Sequence, residues 1–490
     1  MADRLFILFL DGADFSLVRE AMKKGLLPGF SQMASKGVFR PLATSFPAES
    51  PVAFAEVLTG CNPGKHGIFD FLHRDPATKM PRISLFKTKD GGYENGLATE
   101  TLSPSLRRGG VRHALIRIPC TFPPQEDADL VLCGLGLPDV AGTWGRARAF
   151  TASKPNADDL FGTVEARYER PADGIFRLSL PGPAGKIARL DIEKEGEKYR
   201  LGNVEWPAGK FSPWMTVDFE GGGKGVAAVH AGGAPDKPVF TVTPVWTHPS
   251  EPRLPAAKPA DLPSRLADRY GLFPVSGWPE PNLLFAEGRT DFSAFLEMCN
   301  RAATDLEAHA FDVLSDPSFD MVMLNYELFD RLAHAGFGET ASREVQKALF
   351  GALIRFDSFI SKVRNAFPKS RIWVASDHGF APWKRRVNVN RWLVEAGYLA
   401  SDAKAPDPNL SALSEDRLLW EGVDWSRTRA YSVGLSKIYL NLEGREAGGV
   451  VPQGRPAELV RKEIIERLSA LRDPQNGRPV FRRVLDARRL

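Results

Sequence analysis

Two stretches of this chain end an apolar run in an acid followed closely by a glycine, and they restrict the fold more than any other feature. In RIWVASDHGF, residues 371–380, the run Ile372 to Ala375 gives way abruptly to Ser376, Asp377, His378 and Gly379. Near the N-terminus, Leu5 to Leu10 runs straight into Asp11 and Gly12. A continuous apolar run of this length reads as a buried parallel strand, whose last residues reach the carboxyl edge of a sheet, where open α/β sheets place their ligands. Gly379 lets the backbone turn away beneath the Asp-His pair. A third such run, DMVMLNY at 320–326, is followed by Asp330 and His334. Their spacing of four puts both on one face of a helical turn, about 6 Å apart at Cβ, a good bite for one metal ion.

The rest of the chain fits an α/β frame interrupted once. Phe15 to Gly25 reads as a helix with Gly25 as its stop. Val38 to Leu42 reads as a short strand, and Ser50-Pro51 as the start of a helix through Val52, Phe54 and Val57. Thr101 to Cys133 reads as helix then strand. Between about 152 and 252 the character changes to short alternating segments such as FRLSL and WMTVDFE, separated by Gly, Pro and Asp, which reads as antiparallel β structure. The expected organisation is thus 1–150 as the first part of an α/β core, 151–255 as a β-rich insertion, and 256–490 as the second part of the core. KIYLNLEG and RPVFRRVLDARRL read as late strands, and Ala457 to Leu471 as an amphipathic helix.

Composition narrows the function classes. Hydrophobic content of 43% and charged content of 25% over 490 residues are those of a soluble globular protein, and a net charge of +4 without basic runs implies no nucleic-acid partner. The six-residue apolar run near the N-terminus is too short for a signal peptide or membrane span, so a cytoplasmic protein is expected. Four cysteines without CxxC spacing read as buried thiols.

Some candidate residues have plainer explanations. Asp11 could cap a helix, as could Ser50, and Asp14 is read only as a cap. Lys384, Arg385 and Arg386 read as a solvated basic turn. Taken together, Asp11, Ser50, the Asp330/His334 pair and the Asp377/His378 pair supply ligands for two metal ions with a hydroxyl between them, the layout of a two-metal phosphoryl-transfer site.

On LDGAD, SPVAFAEVLTGCNPGKHGIFDF at 50–71, DRLAH at 330–334, SDHGF at 376–380 and NLEGREAGGVV at 441–451, the sequence resembles the alkaline phosphatase superfamily. Within it the likeness is to the type I phosphodiesterase/nucleotide pyrophosphatase-like proteins. That resemblance implies a mostly parallel sheet flanked by helices and a hydrolase of small-molecule phosphate esters with two divalent ions, zinc or in some branches manganese. It implies that Asp11, Asp377 and His378 hold one ion, which activates Ser50, and that Asp330 and His334 hold the other. The resemblance further implies a covalent phospho-Ser50 intermediate. The sequence departs from the pattern twice. Where the diesterase branch has an Asn after the nucleophile, this chain has Ala53, leaving Lys65, His66 or a backbone N–H to contact the phosphoryl oxygens. No His follows His378 to complete the second metal set, so the chain is expected to lack the final segment of its core. Alternatives are a phosphomutase or phosphomonoesterase of the same superfamily, or a non-catalytic member that binds metal or phosphate. A sulfatase is disfavoured, because Val52 and Phe54 stand where that branch needs Pro and Arg.

Overall fold

Six strands form the central sheet: β1 (Leu5–Leu10), β2 (His113–Ile116), β3 (Leu130–Leu132), β4 (Ala257–Lys258), β5 (Met321–Tyr326) and β6 (Arg371–Ala375). In the computed structural model, which describes residues 4–143, 145–153, 163–339, 341–382, 385–402, 419–435 and 437–489, their order is β4-β3-β2-β5-β1-β6. All pairings are parallel except that of β4 with β3. The registers Leu10↔Tyr326 and Phe9↔Ala375 bring the ends of β1, β5 and β6 level. The residues that follow them, Asp11, Glu327 and Ser376-Asp377, therefore leave one edge of the sheet together.

Every residue of β5 is buried, as its apolar run requires. β6 differs: it is the last strand of the described sheet, and Trp373 is 59% exposed. An edge strand can carry the same apolar sequence as a central one, so the expectation of a buried strand fails there. The strand expected at Val38 to Leu42 is also absent. Val38 and Leu42 lie open to solvent, no described strand pairs with the segment, and Pro41 cannot donate to a ladder. RPVFRRVLDARRL forms no strand over its described residues, ending in a 3-10 turn at Ala487–Arg489.

The helices used below are α1 (Phe15–Lys23), α2 (Pro28–Lys36), α3 (Ser50–Thr59), α4 (Leu328–Ala335) and α5 (Arg343–Ala366). Asp14 caps α1 by accepting from Leu17 N at 2.9 Å. Helix α2 has no capping side chain of its own. The buried carboxylate of Asp357, on α5, serves it instead, accepting from Gly29 N at 2.9 Å and Phe30 N at 2.7 Å. A carboxylate there meets both free donors and the positive end of the helix. Asp357→Ala is expected to lower stability by about 2–4 kcal/mol, since it orphans two buried N–H groups. Urea unfolding measures it, and a loss below about 0.5 kcal/mol, the range of ordinary surface substitutions, would contradict the account.

By contacts the chain divides into two units. One comprises the described residues of Met1–Thr44, Thr88–Asn95 and Thr101–Trp383, the other those of Ser45–Lys87, Gly96–Glu100 and Lys384–Leu490. The first holds the central sheet and a run of strands from Arg148 to Thr247, paired antiparallel except for Arg148–Thr151 with Val164–Arg167, which run parallel. Within that run Ile175–Pro181 alternates buried and half-buried residues, and its apolar face joins a core with Phe176, Leu178, Leu190, Trp206 and Phe240. The second unit contains α3, the strand pairs Leu72–Arg74/Pro81–Ile83 and Ala430–Ser432/Ile438–Leu440, and the helix Arg455–Ala470. Leu72, Leu393, Tyr398, Tyr431, Val451 and Leu468 belong to one buried cluster of this unit. Among the described residues, no helix is long and apolar enough to cross a membrane.

Candidate functional site

In the first unit three carboxylates converge on one imidazole. His378 Nε2 lies 3.7 Å from Asp11 Oδ1, 3.7 Å from Asp330 Oδ1 and 3.6 Å from Asp377 Oδ2. Asp11 follows β1 directly, Asp377 and His378 follow β6, and Asp330 lies in the first turn of α4, which begins two residues beyond β5. Asp11, Asp330 and Asp377 are 2%, 2% and 4% exposed.

Each carboxylate is held from outside the cluster by its other oxygen. Asn325 Nδ2 donates to Asp11 Oδ2 at 2.8 Å, Arg331 Nη1 to Asp330 Oδ2 at 2.8 Å, and Gly12 N to Asp377 Oδ1 at 3.1 Å. On the imidazole, Nδ1 lies 3.0 Å from Gly379 O. With Nδ1 donating to Gly379 O, Nε2 is the nitrogen that faces the carboxylates, and a carbonyl on Nδ1 is the kind of partner that orients a metal-ligating histidine.

These residues fit a divalent cation. One donor atom from each of Asp11, Asp330 and His378 lies within 4.8 Å of the others. Asp330 Oδ1 is buried without a hydrogen bond, and a buried carboxylate oxygen in that position is costly unless something positive meets it. Two hard oxygens with an imidazole suit zinc or manganese. The electrostatics agree. Burial raises the Asp11 carboxyl to about 7, helped by Asp330 and opposed by His378 and Arg331. Burial raises Asp330 to about 6 against the pull of Arg331 and His378. For His378 burial acts downward, but Asp377, Asp11 and Asp330 outweigh it and raise the imidazole well above its ordinary range. These shifts keep protons within the cluster near neutrality.

His334 Nε2 lies 3.5 Å from Asp330 Oδ1, and its side chain is half exposed. Asp330 thus stands between His334 and His378. The Phe380 ring meets His334 edge-on at 5.1 Å and lies 5.6 Å from His378. Gly12 is what admits that ring. A Cβ on Gly12 would lie 2.6 Å from Phe380 Cε2 and 3.1 Å from Asp330 Oδ1, and its φ is +70°. Gly12, not Gly379, therefore carries the conformational demand at this edge. Gly12→Ala is expected to cost about 2–4 kcal/mol from left-handed strain and overpacking, and to lower hydrolysis at least about tenfold by moving Asp330 and Phe380. Thermal melting and turnover check it together; unchanged turnover would refute the steric argument.

Ser50, Lys65 and His66 belong to the second unit. Ser50 is buried as the first residue of α3, and the N-cap of that helix is Glu49, in extended conformation. Capping therefore does not explain Ser50, just as Asp14 removes the capping explanation of Asp11. Lys65 is exposed. His66 is enclosed, its Nδ1 accepting from Ile68 N at 3.1 Å, and burial lowers its imidazole to about 4. Of the basic turn, Lys384 lies outside the described residues, and Arg385 pairs with Asp473.

Sequence reasoning gave no role to Asn325, Arg331, Glu327, Glu280 or Trp278. Asn325 carried a signal, an amide inside an otherwise apolar strand. Arg331 carried a weaker one, a cation between the two residues of the DRLAH pair.

A family model described as type I phosphodiesterase / nucleotide pyrophosphatase matches residues 5–121 and 229–487. Among solved structures, the chain is similar to phosphonoacetate hydrolase from Sinorhizobium meliloti 1021 in complex with phosphonoacetate. The identity is 12% and the TM-score 0.41, covering 96% of this chain and 73% of that one. No curated protein matches.

Proposed function

Because the chain belongs to the type I phosphodiesterase / nucleotide pyrophosphatase family and is a phosphoric ester hydrolase, we propose that it cleaves small-molecule phosphodiesters or pyrophosphates through a covalent phospho-Ser50 intermediate. The observation that carries this reading is the convergence of Asp11, Asp330 and Asp377 on His378 Nε2. Two divalent ions, zinc by preference, would be held by Asp11, Asp377 and His378 and by Asp330 and His334. Such ions supply Lewis acidity and neutralise charge on phosphoryl oxygens.

The chain's own residues do the rest. Asn325 and Gly12 N aim Asp11 and Asp377, and His378 keeps its Nδ1 proton on Gly379 O. Ser50 Oγ forms a bond to phosphorus as the bond to the leaving oxygen breaks, and water later displaces the serine. The first turn of α3 places that hydroxyl in a field of positive helix dipole that favours the developing oxyanion. Lys65 and His66 contact the phosphoryl oxygens in this reading, and residues 151–255 form an inserted cap that selects the ester, between the core parts 1–150 and 256–490. The chain acts in the cytoplasm, without nucleic-acid or membrane partners.

The test compares bis-p-nitrophenyl phosphate with p-nitrophenyl phosphate as substrates of the zinc- or manganese-loaded protein. A diester preference of about tenfold or more in kcat/KM, abolished by chelation and restored by metal, is expected. Preference for the monoester would point to a phosphomonoesterase and overturn the diesterase assignment; absence of turnover on both would favour a binding role.

A further inference from the structure

Arg331 is 2% exposed, yet it meets three carboxylates. Its Nη1 donates to Asp330 Oδ2 at 2.8 Å and its Nη2 to Glu327 Oε1 at 2.7 Å, while Nε lies 3.4 Å from Glu280 Oε2. The face of Trp278 lies 4.0 Å from the guanidinium carbon. Glu327 is fixed in turn by Arg117, whose Nη2 donates to Glu327 Oε2 at 2.8 Å. Arg117 holds this pose with φ of +59° and also donates to the carbonyls of Ser276 and Gly277. The segment Ser276–Glu280 is therefore tied to Arg117 at one end and to Arg331 at the other.

Such a network is not explained by stability. Burying a guanidinium with carboxylates incurs desolvation of several kcal/mol per ion, and apolar side chains of similar volume do as well or better. What a planar fork adds, and a lysine cannot, is direction: its two terminal nitrogens hold Asp330 and Glu327 by hydrogen bonds in fixed positions while its Nε edge pairs with Glu280 by charge alone. One of those acceptors is Asp330, whose remaining oxygen faces His378 and His334.

We propose that Arg331 is a positioning residue: gripped by Glu327, Glu280 and Trp278, it fixes the Asp330 carboxylate so that Oδ1 alone is offered to the metal cluster. The inference rests on the proposed metal reading and adds to it a shell of residues that sets affinity and coordination geometry. Partners of this kind alter metal affinity by about 10–100-fold when lost. Removing the cation outright would change both charge and aim, so the informative variant is Arg331→Lys, which keeps the charge.

The experiment is Co2+ titration of the purified full chain, read by visible absorption, with metal-free melting as the folding control. Wild type is expected to give a saturable band. Arg331→Lys should bind about tenfold more weakly with an altered band, Glu280→Gln should bind several-fold more weakly, and the double variant should be no weaker than Arg331→Lys. Wild-type affinity and spectrum in Arg331→Lys, or full additivity in the double variant, would overturn the inference while leaving the metal reading intact. If Arg331→Lys fails to fold, Glu280→Gln decides alone, and wild-type behaviour there overturns the inference. Absence of Co2+ binding by wild type overturns the metal reading and this inference with it.

Discussion

Exchanging Ser50 for Ala is expected to lower diester turnover more than about a thousandfold while leaving the fold intact, because a covalent route has no substitute for its nucleophile. The two halves of that expectation rest on different observations. Stability should change by no more than about 1 kcal/mol: the N-cap of α3 is Glu49, whose carbonyl accepts from Val52 N and Ala53 N, and Ala is a good helix former at the first position. Val52, Ala53, Phe54 and Ala55 stay buried whichever residue stands at 50. Turnover should collapse because alanine has no hydroxyl to attack phosphorus. Mass spectrometry of the wild type quenched during turnover of bis-p-nitrophenyl phosphate should find a p-nitrophenylphosphoryl group added to the peptide containing Ser50, and a burst of p-nitrophenol should match the enzyme concentration. A Ser50→Ala protein with near wild-type turnover would mean that water attacks phosphorus directly, and the serine route would be abandoned.

What could be read beforehand follows from how each feature is encoded. A parallel strand covered on both faces leaves a continuous apolar run, so β1 and β5 are visible in Leu5–Leu10 and Met321–Tyr326, and the acids after them mark the sheet edge. The exposure of β6 is invisible in the same code, because Ile372, Trp373 and Val374 read alike at an edge and at the centre. Val38 to Leu42 misled for a related reason: β-branched and apolar residues suit a strand only where another strand lies beside them, and Pro41 spoils the ladder. The cluster Asp11, Asp330, Asp377 and His378 could be anticipated because each member sits at or just beyond a strand end. Its supports could not. Asn325 reaches Asp11 across 314 positions of sequence, and Arg331 meets Glu280 across a distance that no local pattern records. Which polar residue holds which carboxylate depends on how β5 and α4 pack against their neighbours, and spacing along one chain carries little of that information.

Metal loading is expected to be strongly proton-coupled, with affinity rising about tenfold or more per pH unit between pH 6 and 8. The sign follows from the free cluster. Asp11 and Asp330, raised to about 7 and about 6, carry protons at pH 6, and His378, raised above its ordinary range by three carboxylates, remains protonated beyond neutrality. A cation can use Nε2 and the ionised oxygens only after those protons leave, so each proton displaced adds one decade per pH unit. Near pH 6 more than one must go; near pH 8 chiefly that of His378 remains. The slope should therefore flatten as pH rises. Calorimetric titration with Zn2+ or Mn2+ in two buffers of different ionisation enthalpy counts the released protons directly. His378→Ala separates the contributions, since it removes both a ligand and the most persistent proton, and should leave weaker binding with a shallower pH dependence. Affinity independent of pH across this range would mean that the cations are not bound by these groups, and the assignment of Asp11 and His378 to one ion and of Asp330 to the other would fall.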